Sequence, residues 1–226
     1  MRTLSLAAAA FTLAACSPER DPDAADVEQP GAAGRNEPEP AAPAAPRPPL
    51  QPPHAQRHPM LGEAIARAEW ARAGNRADCA PLALASDGGG VAVDATARRA
   101  QFSGGWGVAF DLPRLRSAFG FAGPGLLPAD RADFAGQVEA LGAQWPHLRR
   151  WGAGENLPAG SAAGYGVVGA EPYPDDNPAG TGLHSLAYLR IPGQACQYNV
   201  WSRISRVHLE TILGLLRVVE VSGAAL

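Results

Sequence analysis

The chain is 226 residues long, with 46% hydrophobic and 18% charged residues and a formal net charge of −3. A nucleic-acid partner calls for a basic surface that replaces phosphate counterions, and this mildly acidic balance excludes one. The cationic side chains are all arginine, with no lysine. That excludes a P-loop, whose lysine sits on the phosphates, and Schiff-base catalysis, which needs a lysine amine.

At the amino terminus Arg2 supplies a positive start, and residues 4 to 13 form an apolar stretch too short to span a bilayer as a permanent helix. The stretch closes on Leu13-Ala14-Ala15-Cys16, with Ser17 next. Residues 1–17 resemble the signal peptide of bacterial lipoproteins, and 13–16 match its lipobox. The resemblance implies cleavage before Cys16, a diacylglyceryl group on the Cys16 thiol, and acylation of the new terminus by a chain such as palmitate. A residue other than Asp after the cysteine implies sorting to the outer membrane, facing the periplasm. Several acyl chains anchor a protein stably where a single chain does not.

Residues 16–60 are crowded with Pro, Ala and acids, as in Glu37-Pro38-Glu39-Pro40, and have few large apolar side chains. Proline fixes φ and removes a donor, so this stretch reads as a disordered tether of polyproline character. His54 and His58 lie in it without a cysteine or carboxylate at ligand spacing, which argues for solvated residues over a metal site.

From Leu61 onward the composition fills a core, and residues 61–226 are expected to form one domain. The spacing of Leu61, Ile65 and Ala68 predicts a helix over 61 to 73, supported by the Glu63/Arg67 pair and stopped by Gly74-Asn75. Residues 79 to 85 read as a short strand entering the Gly88-Gly89-Gly90 turn. Strands are predicted at 91 to 94 and 100 to 111, the second with Ala100, Phe102, Trp106, Val108 and Phe110 on one face. Gly104-Gly105 fits either a bulge or a hairpin turn. Asp130 as N-cap with Asp133 as capping-box acid opens a helix through Phe134, Val138 and Leu141, ending at Gly142. A shorter turn or helix follows Trp145-Pro146. Strands are predicted at 165 to 170, 186 to 191 and 197 to 204. The last helix runs from 206 to 219, capped by Ser205 and stapled by Ile204 and Leu209. Without βαβ alternation, the pattern predicts an α+β fold, mostly antiparallel, with flanking N- and C-terminal helices.

Cys79 and Cys196 remain once Cys16 is acylated, and in an oxidising envelope compartment two thiols most simply form a disulfide. A catalytic thiol is the sharper alternative, but no basic partner for one is identifiable.

Gly164-Tyr165-Gly166-Val167-Val168-Gly169 matches a dinucleotide fingerprint as text, yet it lies in an apparent strand followed by Glu171-Pro172-Tyr173-Pro174, where the required helix cannot start. Asp175-Asp176-Asn177 groups oxygen donors on a loop without EF-hand spacing. No Gly-x-Ser-x-Gly elbow or His-Glu-x-x-His motif occurs. No cofactor or metal is expected.

Two functional readings remain. In the first, Gln197, Asn199, Trp201 and Arg203 share one face of a strand, and Tyr188 and Arg190 share a face of the preceding one. If those faces coincide, they make a recognition patch for an envelope protein or a cell-wall glycan; otherwise Trp201 finishes a second small core. This points to a non-enzymatic binding or accessory module, held at the membrane by its lipid. The alternative is an envelope hydrolase with a site near His184, Asp175 and Asp176.

Overall fold

The computed structural model describes residues 60–85, 90–102, 104–126 and 133–221, all within a unit spanning Pro53–Leu226. The unit Met1–Pro52 lies outside the described residues, and with it the lipobox, Cys16 and most of the expected tether. No helix among the described residues is long and apolar enough to cross a membrane.

The described residues form three helices and nine strands in chain order: α1 Glu63–Trp70, β1 Leu82–Leu84, β2 Thr96–Arg99, β3 Trp106–Leu112, β4 Leu115–Leu126, α2 Phe134–Gln144, β5 His147–Arg150, β6 Ala162–Val167, β7 Ser185–Arg190, β8 Cys196–Ser202, α3 Arg206–Leu215 and β9 Leu216–Val218. Seven strands form one sheet in the order β2-β3-β4-β8-β7-β6-β5, antiparallel throughout, and β1 pairs with β9 in a small second sheet. The fold is α+β with a mostly antiparallel sheet.

Period-2 alternation sorts the large sheet into two faces. Trp106, Val108, Phe110, Phe119, Phe121, Tyr198, Val200, Ala187 and Leu189 are buried on the first face, in one cluster with Ala66 of α1 and Leu209, Ile212 and Leu213 of α3. Cys79 is bonded to Cys196, with Cα atoms 5.0 Å apart and 117 residues of separation. The bond joins the segment leading into β1 to the start of β8. In the chain-entropy account, a loop of that size stabilises by about 4 to 5 kcal/mol.

Several boundaries differ from expectation. The last helix stops at Leu215 rather than 219, because Leu216–Val218 pairs in register with Leu82–Leu84. α1 is shorter than predicted; Leu61 instead bridges Leu84, and Ala66 is the residue α1 buries. Residues 91 to 94 form a turn, and the strand there begins at Thr96. Phe102 is not on the Trp106 face: it sits in the loop of the β2–β3 hairpin, where Ala100 N–H donates to Gly107 O across the loop. Asp133 is the N-cap of α2, accepting from Gly136 N–H at 2.9 Å, while Asp130 lies outside the described residues. Ser205 caps α3 as expected, accepting from His208 N–H. The segment after Trp145-Pro146 is an edge strand, β5.

The longest strand, β4, carries no β-rich sequence. Gly120, Gly123, Pro124 and Gly125 fall inside it, and the register with β8 shifts between Ala122 and Gly125, where proline is tolerated at a bulge. Two of its glycines, Gly120 and Gly123, are recesses. A Cβ on Gly123 would stand 2.7 Å from Trp106 Nε1 and 3.2 Å from Cys196 Sγ, and one on Gly120 would stand 2.4 Å from Trp201 Cζ2.

Candidate ligand groove

The second face of the sheet is covered unevenly. At the β5–β7 end α2 lies over it. Trp145, the C-cap of α2, meets Tyr188 edge-on at 5.2 Å and takes the space over Gly164, where a Cβ would be 2.6 Å from the indole. Gly166 is covered in the same way by Pro146. The first two glycines of the apparent nucleotide motif therefore admit side chains of the α2–β5 corner, and the strand turns at Gly169 without starting a helix.

Toward β8 and β4 the same face is open, as a groove of about 620 Å³ lined by Phe102, Ser117, Gly182, His184, Leu186, Asn199, Trp201 and Arg203. That volume lies in the range of small-ligand sites, about 300 to 1,000 Å³. The register explains the assembly: Leu186 pairs with Trp201, Tyr188 with Asn199, and Trp201 with Gly120. The Trp201 indole extends over Gly120, and its Nε1–H donates to Ser117 O at 3.3 Å. Phe102 spans Gly107 in the same manner and tilts toward Trp201 with ring centroids 6.2 Å apart.

Ser117 has a left-handed backbone, φ 49°, which is strained for a residue with a side chain. Its N–H donates to Asp111 Oδ1 at 2.7 Å, and Arg98 bonds both the other Asp111 oxygen and the serine hydroxyl. The Arg98 hydrogen bond, then the Ser117 N–H, hold the Asp111 carboxyl below its usual range. The brace fixes the carbonyl that orients Trp201.

The polar side of the groove is cationic. Arg203 is exposed and donates to Arg116 O at 3.0 Å. Partial burial, and then the Arg203 charge, keep the His184 imidazole below its usual range. Asn199 Oδ1 is enclosed and has no hydrogen-bond partner among the described residues.

No protein-family model, curated protein or solved structure matches this chain.

The expected recognition patch is thus divided. Tyr188, Arg190, Asn199 and Trp201 do share one face. Arg190 is buried and donates to Gln197 Oε1 at 2.8 Å, and Tyr188 packs against Trp145 under the α2 end. Asn199, Trp201 and Arg203 line the groove. His184 lines it too, but Asp175 and Asp176 sit in an exposed turn outside that lining, and the charge acting on His184 is the cation of Arg203. In that turn Asn177 is taken up locally, bonded to both N–H and C=O of Thr181. Phe102, Leu186, Ser117 and Gly182 were not singled out from sequence; for Leu186, its position two residues before Tyr188 was the available signal.

A second polar cluster lies on the first face, under α3. His147 stacks on Tyr165 with centroids 5.2 Å apart, and Tyr173 lies 5.6 Å away. Tyr165 O–H and Arg206 Nε–H both donate to Glu210 Oε1 at 2.7 Å, and the Arg206 guanidinium lies over the Tyr173 ring. Burial, reinforced by Glu210, pushes the Tyr165 phenol up to about 12. These groups engage one another and brace α3 to the sheet.

Proposed function

We propose that this chain is a lipid-anchored cell-envelope protein whose folded domain is a binding or accessory module rather than an enzyme, with its ligand seated in the Trp201 groove. The address rests on the resemblance of residues 1–17 to lipoprotein signals, and implies an outer-membrane protein facing the periplasm and tethered through Cys16. The observation that carries the binding reading is the fixed indole of Trp201. Its N–H is engaged by the carbonyl of Ser117, a residue with left-handed backbone, so the ring itself is what it offers a ligand, beside the Arg203 donors and the Asn199 amide. Rigid aromatic surface next to convergent polar groups is the usual make-up of a recognition site.

Two experiments test the parts separately. Cys16→Ser should leave unprocessed or released protein; an unchanged membrane fraction and mass would refute the anchor. A photo-crosslinker at Leu186 should give adducts in the envelope that weaken with Arg203→Glu, and adducts indifferent to that change would refute the groove as the seat.

A further inference from the structure

Resting on that reading, we infer that the groove's ligand is a small acidic saccharide, one or two sugar units bearing a carboxylate. Charge sets the first requirement. Among the described residues, the lining holds one arginine and one histidine and no carboxylate, and Asp111, which shapes this rim through Ser117, is neutralised by Arg98 at 2.8 Å. An arginine fork engages a carboxylate with two parallel hydrogen bonds. The single Arg203–Arg116 bond positions the guanidinium and leaves donors over.

Topology sets the second requirement. The groove lies over β4, β8 and β7 in the middle of the sheet, where main-chain groups are paired with neighbouring strands. An extended peptide that recognises by adding a strand needs an open edge, and the two edge strands, β2 and β5, contribute no residue to the groove lining and end in Arg98-Arg99 and Arg149-Arg150. A docked helix needs a long row of apolar contacts, whereas three apolar side chains line this groove: Phe102, Leu186 and Trp201. A sugar ring fits what remains. Its C–H face packs on the Trp201 indole, its hydroxyl or amide donors meet Asn199 Oδ1 after a turn of that amide, and its carboxylate meets Arg203.

The test is calorimetric titration of the full mature chain in detergent with two probes, the N-acetylglucosamine–N-acetylmuramic acid disaccharide and neutral di-N-acetylchitobiose. The acidic probe should bind at least about tenfold more tightly, a difference of about 1.4 kcal/mol. Arg203→Ala, at an exposed position, should erase that preference, and Trp201→Ala should abolish binding of both. Equal binding of the two probes, or acidic binding that survives both substitutions, overturns the inference. So does failure of the acidic probe to bind; if Leu186 crosslinks sensitive to Arg203→Glu persist in that case, the groove remains a binding site and only the saccharide falls.

Discussion

Trp201 and Gly120 are cross-strand partners, and the indole occupies the space where a side chain on Gly120 would stand, 2.4 Å from Cζ2. Gly120→Val should therefore displace the ring from the Ser117 carbonyl and distort the groove. Overpacking of this kind costs about 1 to 3 kcal/mol. Thermal unfolding together with near-ultraviolet circular dichroism of the tryptophans checks this; an unchanged spectrum and midpoint would contradict the packing described.

Removing the disulfide with Cys79→Ser and Cys196→Ser together should lower stability by about 2 to 5 kcal/mol. The bond joins the segment before β1 to β8 across 117 residues. Denaturant unfolding of the oxidised protein, the reduced protein and the double variant gives the comparison. Reduction that leaves the midpoint in place would show that packing around Trp106 and Tyr198 suffices alone.

Stability should fall as the solution is acidified, in two windows. His147, His184 and His208 all lie below their usual pKa, chiefly through burial. The unfolded chain then takes up protons that the native state refuses, so their contribution is full above about pH 6.5 and declines below it. His208 illustrates the cause: its Nε2 meets Val91 O at 3.1 Å, which requires a proton on that nitrogen, so Nδ1 accepts from Ser202 Oγ at 3.0 Å in the neutral ring. Asp111 and Glu210 lie below their usual range, and what they contribute is present above about pH 4.5 and is lost below it. For Glu210, burial pushes upward, but the hydrogen bonds from Arg206 and Tyr165 outweigh it. Unfolding free energies from pH 8 to 3 test both windows, and a flat profile between 8 and 5.5 would refute the histidine part. His208→Gln should shallow the first decline.

Tyr165→Phe keeps the ring against His147 but leaves Glu210 one donor short. A hydrogen bond to a charged group is worth about 1.5 to 3 kcal/mol at most, and the partial exposure of Glu210 places the expected loss at or below the lower end. Denaturant unfolding of the parent and the variant at pH 7 measures the loss. Equal stability of the two proteins would contradict the Tyr165–Glu210 contact.

The antiparallel α+β fold, the Ser205 cap and the disulfide were legible because each rests on short-range chemistry or simple pairing. β8 alternates cleanly, and its face bearing Asn199 and Trp201 was readable residue by residue. β4 was not, because its glycines look like breaks until the rings of Trp106 and Trp201 are seen above them. The end of α3 was misjudged because Leu216 and Val218 suit a helix stripe and a strand equally, and only pairing with β1 decides. Phe102 leaves the face that alternation assigns it because period 2 does not carry through a hairpin loop. Of the groove, the β8 residues were foreseen. The wall at Ser117 depends on a strained φ and on a brace from Asp111 and Arg98, which no local pattern announces.

The cysteine pair also bears on what a protease can do. Everything from β1 to β7, including α2, lies between Cys79 and Cys196. A single backbone cut anywhere in that span leaves one covalent molecule, whose fragments migrate together on a gel until a reductant is added. The fragments stay tethered at one point, so the nicked domain keeps its strands at hand for non-covalent re-pairing.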